Sequence, residues 1–305
     1  MKFADAFANE VKSVHLYAFN SDNILVWQNV ESGSALAAGN YSMPLTLEPG
    51  NYHLVAWCGL DNENETSTSF SVGQATVGVT TLSQLQCRLN TKHDATGNAY
   101  VDTQLTPLFH GDMDVTLPDT DNGETYTYTM SLTKDTNSVS VILQHLSGES
   151  VDVNDFEFTI DCDNGSLDYD NTVLDNENIR YTAWEKMTGM ASLDSYTDTS
   201  TNATTPSFRT VEIAIANLSV ARLTPNKKCY LTIKTAEGQT AARIPLTDYA
   251  LLLRNATNAM MDDQEYLDRQ DEYALTFFLD ESQRWISTSI IINSWRLVLS
   301  DIDIE

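Results

Sequence analysis

Two acidic strings in this chain have the residue types to hold a divalent cation: Asp161-Cys162-Asp163-Asn164-Gly165 and Asp119-Thr120-Asp121-Asn122-Gly123. Oxygen ligands at alternate positions suit calcium, and an EF-hand loop adds a glycine at position six and a bidentate glutamate at twelve. Here the glycine falls at position five, and position twelve counted from Asp161 is Thr172. Asn-Gly after an alternating strand is a hairpin signal, so both strings read as turns and no metal site is assigned. No two of the five histidines stand at i+3 or i+4, so there is no zinc helix. His15 and His53 lie within predicted strands, and His110 and His145 beside strand ends. Neither a G-x-S-x-G elbow nor a Walker A loop occurs. With 43 Asp and Glu in the chain, a carboxylate pair for glycoside hydrolysis means nothing without geometry. No catalytic, cofactor-binding or metal residue is assigned: the chain reads as not an enzyme, with no cofactor.

The elements around these residues alternate with a period of two. From Thr125 to Thr133 the chain reads T-Y-T-Y-T-M-S-L-T, placing Tyr126, Tyr128, Met130 and Leu132 on one face of a predicted strand. The same pattern turns Val139, Val141 and Leu143 inward, then Phe156, Phe158 and Ile160, then Val211, Ile213 and Ile215, then Leu275, Phe277 and Leu279. Val11–Phe19 and Ile24–Trp27 read as strands joined at Asn20-Ser21-Asp22-Asn23. Tyr41–Leu47 and Tyr52–Trp57 read as strands joined by a type II turn, with Pro49 first and Gly50 supplying positive φ. Helical signals are few. Leu82, Leu85 and Leu89 suggest a short helix in Thr81–Asn90, and a second runs from about Leu246 to Leu253.

Short strands and polar turns argue for an all-β protein of antiparallel β-sandwiches. At 305 residues, the length predicts about two domains. The polar stretch Pro118–Glu124 sets the boundary, giving 1–120 and 121–305, and Ser192–Ser207 reads as a long surface loop. Lys and Arg number 17, for a net charge of −26. That balance removes the clustered cations on which nucleic acid or anionic lipid binding rests. No apolar run reaches the ~20 residues of a membrane span. Met1–Phe7 is too short and too polar for a signal-peptide core. Cys58, Cys87, Cys162 and Cys229 form no C-x-x-C pair and read as free, partly buried thiols.

Four segments together resemble the FimB-type fimbrial-anchor family of Bacteroides-like bacteria, the minor subunits of type V fimbriae. The first is Asp5-Ala6-Phe7 with the strand Val11–Phe19. The second is Leu47–Trp57, similar to the family's L-x-P-G-x-Y-x-x-x-A-W hairpin. The third is Pro107-Leu108-Phe109-His110-Gly111. The fourth is Gln264–Tyr273, reading Q-E-Y-L-D-R-Q-D-E-Y, with Ile292-Asn293-Ser294-Trp295 behind it.

The resemblance implies two transthyretin-like sandwiches with a few short helices. It also implies a cell-surface outer-membrane lipoprotein that anchors a fimbrial shaft subunit and limits the length of the fibre. Strand-mediated contact would do this, because strand addition supplies main-chain hydrogen bonds while alternate side chains fill pockets. The family's lipid-bearing cysteine has no counterpart ahead of Asp5, so the lipid anchor is absent from this chain. Within the most specific strings, Phe109 reads as a core plug, His110 as a local hydrogen bonder and Arg269 as a partner for a nearby carboxylate. The alternative is a glycan-binding or adhesive surface sandwich, motivated by Tyr- and Trp-bearing strands.

Overall fold

The computed structural model describes residues 7–60, 69–119, 125–194, 208–257 and 260–298. Asp5, Ala6, residues 120–123 of the second acidic string and residues 195–207 of the anticipated loop lie outside these ranges.

The described residues form four sheets. The first has the order β2 (Leu25–Ser32), β1 (Ser13–Asn20), β3 (Gly50–Cys58), β8 (Phe109–Leu117) and β9 (Thr133–Lys134). The second is β12 (Ser166–Leu167), β5 (Cys87–Leu89) and β4 (Phe70–Val72). The third is β17 (Thr240–Pro245), β16 (Tyr230–Thr235), β11 (Phe156–Cys162), β13 (Ile179–Thr182), β7 (Ala99–Val101) and β6 (Lys92–His93). The fourth is β14 (Glu185–Asp194), β15 (Phe208–Ala221), β10 (Thr136–His145), β18 (Glu272–Leu279), β19 (Trp285–Ile292) and β20 (Trp295–Val298). Three short α-helices complete it: α1 (Phe7–Glu10), α2 (Leu246–Thr257) and α3 (Asp263–Arg269). Pairing is antiparallel except for β10 with β18 and β7 with β13. No helix among the described residues is long and apolar enough to cross a membrane.

Inward alternation places Val139, Val141, Leu143, Phe156, Phe158, Ile160, Leu275, Phe277 and Leu279 in one hydrophobic core. Tyr17, Phe19, Val55 and Trp57 share it, so the core draws on both sides of residue 120. Three ladders also cross that position: β5 with β12, β7 with β13, and β8 with β9. At the first turn, Asn23 adopts φ 58° and Asn20 Oδ1 accepts the amides of Asp22 and Ile24, a tight Asx-stabilised reversal.

Several expected elements differ. Residues 125–132 form no strand: Tyr126 and Tyr128 are exposed, and only Met130 and Leu132 pack against the second core cluster. Residues 41–47 likewise join no ladder, although Tyr41, Met43, Leu45 and Leu47 pack on the same cluster. Both segments are extended straps laid over the outer face of the first sheet. Their alternation reflects the apolar surface beneath them, while both sides of β3 are already paired with β1 and β8. Gly50 is accordingly the first residue of β3 rather than the positive-φ corner of a type II turn.

Leu82–Gln84 is a single 3₁₀ turn closed by a Thr81/Gln84 capping box. Beyond it the chain becomes β5, which ends the expected helix. On β15 the residues in the main core are Ala214, Ala216, Leu218 and Val220; Val211 and Ile213 are buried on the opposite face, and Ile215 there is half-buried. Residues 192–194 extend β14 instead of opening a loop.

The cysteine expectation is half overturned. Cys162 and Cys229 are joined in a disulfide with Cα atoms 4.4 Å apart. They stand opposite each other because β11 pairs with β16 through Asp161 and Tyr230. Cys58 and Cys87 remain free and buried.

Candidate functional site: the junction and the open strand edge

The two most specific strings meet at Lys134 and Asp135, where the chain passes from the first sheet to the fourth. Lys134 Nζ lies 2.8 Å from Glu10 Oε2 and 2.9 Å from Asp271 Oδ2, and sits over the Phe109 ring at 5.9 Å. Burial alone would lower its pKa. Hydrogen bonds that the ammonium donates to the Asp271 and Glu10 carboxylates outweigh that and hold it above its ordinary range. The next residue, Asp135, is fully buried. Its amide donates to Leu108 O at 2.8 Å, and its Oδ1 accepts Asn171 Nδ2 at 2.9 Å. Arg222 donates to Asp268 through Nε at 3.0 Å and Nη2 at 2.7 Å, and also to the Asn171 carbonyl. Asp271 and Asp268 are thus the residues by which the E-Y-L-D-R-Q-D-E-Y string grips both junction cations.

The L-F-H-G string supplies the other wall. Leu108 is buried, and Phe109 belongs to the outer core cluster, as a plug should. His110 Nε2 bonds the Tyr169 carbonyl at 2.7 Å, and its ring tilts onto Trp57 at 4.5 Å. That partner is distant in sequence, so the bond is not local: it ties β8 to the 168–171 loop. Burial pushes the His110 pKa down, which favours the neutral imidazole beside the Tyr169 carbonyl. Gly111 is there because a Cβ would stand 2.7 Å from Ser131 O, where the 125–132 strap crosses β8. Arg269 pairs with Glu265 at 2.8 Å across one turn of α3.

The first acidic string is not a hairpin, and its side chains are engaged within the fold. Asn164 is buried, donating to the carbonyls of Ala221 and Arg222 and accepting the Tyr181 hydroxyl at 2.7 Å. Asp163 is held by Lys227 at 2.8 Å, which Asp175 also engages at 2.6 Å. Among the described residues no three His, Cys, Asp or Glu converge in a way that could hold a metal.

The molecule's open chemistry is backbone. β14 is ten residues long, forms the edge of the fourth sheet and pairs with β15 in one unbroken register. Nothing in its sequence pattern separated it from a loop, because Ser, Thr and Asp fill the stretch that follows Gly189.

Comparison with known proteins accords with this architecture. The family model described as "Mfa2: Fimbrillin-A associated anchor proteins Mfa1 and Mfa2" matches residues 1–301. The chain belongs to this family. A curated relative, the minor fimbrium anchoring subunit Mfa2 of Porphyromonas gingivalis, is 27% identical over 192 residues. That match takes in 60% of this chain and 53% of the relative, so about half of the relative's length is spanned. A solved structure from Bacteroides thetaiotaomicron, described as a candidate adhesin, is 33% identical with a TM-score of 0.81, covering 98% of this chain and 94% of that one. The solved fimbrial anchor protein Mfa2 from Porphyromonas gingivalis shares the fold at TM-score 0.66 and 20% identity, covering 96% and 92% of the two chains. As in these anchor-family and adhesin-like relatives, the architecture is an all-β sandwich with short helices.

Proposed function

We propose that this chain is a structural subunit that anchors a fimbria at the bacterial cell surface and limits its length. It works without catalysis, through strand-mediated contacts with the shaft subunit. The observation that carries the reading is the family match over residues 1–301. The fold supplies what the role requires. Sheet edges offer main-chain donors and acceptors to a neighbour's strand, and the ion-paired junction at Lys134 and Arg222 binds the first and fourth sheets together under load.

In this reading the units 1–120 and 121–305 act as one rigid base, since they share ladders and a core. In this reading the protein is held at the cell surface as an outer-membrane lipoprotein. The test is deletion of the gene, followed by electron microscopy of the fibres. Longer fibres, shed into the medium and restored to the cell by complementation, are expected. Fibres of unchanged length that stay attached would overturn the reading.

A further inference from the structure

Sheet edges are usually guarded by brevity, proline, bulges or outward lysines, because an unguarded edge pairs with whatever strand it meets. Most edges of this molecule follow that rule. Those at β4, β6, β9, β12 and β20 are four residues or fewer. β17 breaks register against β16 and ends in Pro245. β2 is shielded at its start, where Leu25 exchanges hydrogen bonds with Thr80 and Gly78 and Gln28 bonds the Ala75 carbonyl. Beside β8, Tyr128 of the strap caps Thr116 O at 2.7 Å.

β14 lacks every such guard. It has no proline, and its ten pairs with β15 run without a register shift. Its one lysine is turned away, with Lys186 Nζ 2.6 Å from Phe156 O and over the Phe158 ring. Among the described residues no backbone group bonds the free side of the strand. Met187 and Met190 are 39% and 63% exposed. Met187 also begins an apolar row across the outer face of the sheet, through Ile215, Ile142, Thr276 and Ile291. Two positions along, Gly189 has no side chain. Ile213 and Ile215 lean into that space, so that a Cβ there would meet Ile215 Cδ1 at 2.5 Å.

We propose that β14 is the strand-accepting edge, and that its occupant is an extended segment of another, less acidic chain. The segment adds as a seventh strand, with alternate apolar side chains continuing the Met187 row and covering Ile215 at Gly189. A second copy of this chain is the wrong occupant, because two bodies of charge −26 repel on approach. This inference rests on the anchor reading and names the surface that reading leaves open.

The test places a photo-crosslinking amino acid at Met187, at Met190 and, as a control edge, at Val30 of β2, in the strain that carries this chain. Purified fimbriae are then analysed by mass spectrometry. Adducts from Met187 and Met190 to a shaft subunit, with none from Val30, are expected. The double variant Met187→Lys, Met190→Lys should retain at least fivefold less shaft protein while keeping the melting temperature of the unmodified chain. Adducts from Val30 alone, adducts to a second copy, or no β14 adduct while the unmodified protein still holds the shaft would each overturn the proposal and leave the anchor reading standing. An unmodified protein that retains no shaft would remove the anchor reading, and this one with it.

Discussion

Arg222 Nε lies 3.6 Å from Asp135 Oδ1 yet gives two hydrogen bonds to Asp268. One guanidinium therefore serves two carboxylates in a buried junction, and Asp135 Oδ2 has no hydrogen-bond partner. Burial raises the Asp135 pKa, Arg222 and Asn171 pull it partway back, and it settles at about 7 against an ordinary 3.8.

Between those two values only the folded chain holds the proton. Stability from this group is therefore fully present below about pH 4, declines as pH rises, and is lost once pH passes about 7. The decline is at most about 1.4 kcal/mol per pH unit. Melting temperatures measured from pH 5 to pH 8 should fall for the unmodified protein, and Asp135→Asn should flatten the slope. An unchanged slope in the variant would place the titration elsewhere.

Lys134 bonds both Glu10 and Asp271. Lys134→Met removes a half-buried ammonium from between these two carboxylates and should cost about 1–3 kcal/mol in urea denaturation. Lys92→Met breaks the exposed pair with Asp102 and should leave the midpoint unmoved.

Gly59 and Gly97 have nearly the same φ, 91° and 90°, in opposite surroundings. A Cβ on Gly59 would stand 2.0 Å from Pro107 O, whereas Gly97 faces open space. Gly97→Ala should cost about 1 kcal/mol, and Gly59→Ala about 3 kcal/mol or more, because backbone must move. Equal losses would show that φ alone sets the effect.

Thiol titration should count none in the native protein, two in denaturant and four after reduction. Burial pushes Cys58 up to about 12 and also raises Cys87, so neither offers a thiolate at neutral pH. Cys162 and Cys229, 67 residues apart, are already spent in the disulfide. Replacing both with serine should lower stability by up to about 4 kcal/mol on the loop-entropy model.

What the sequence made legible was facing, more than pairing. Val139, Phe158 and Phe277 sit where alternation put them, because their strands lie with one face on the core. The same alternation at Tyr41–Leu47 and Tyr126–Leu132 belongs to straps, since an extended chain laid on an apolar sheet has the same period as one bonded within it. Val211 and Ile213 are buried as alternation had them, yet outside the main core: β15 carries apolar residues on both faces, and only its neighbours decide which face meets that core. The disulfide needed the β11–β16 register before Cys162 could be placed opposite Cys229. Asp268 and Asp271 stood in view within a recognisable string, but the cations they serve, Arg222 and Lys134, lie in remote and featureless stretches.

The ladders that cross residue 120 have a bearing on how the chain is made. Synthesis proceeds from the amino end, so β5 and β7 emerge before the β12 and β13 strands that pair with them. The early half cannot close its own sheets and must wait, with edges open, until residues 166–182 arrive. Such distant pairing makes folding slow and leaves a sticky intermediate. The topology therefore favours closure of these sheets only after the whole chain has been released.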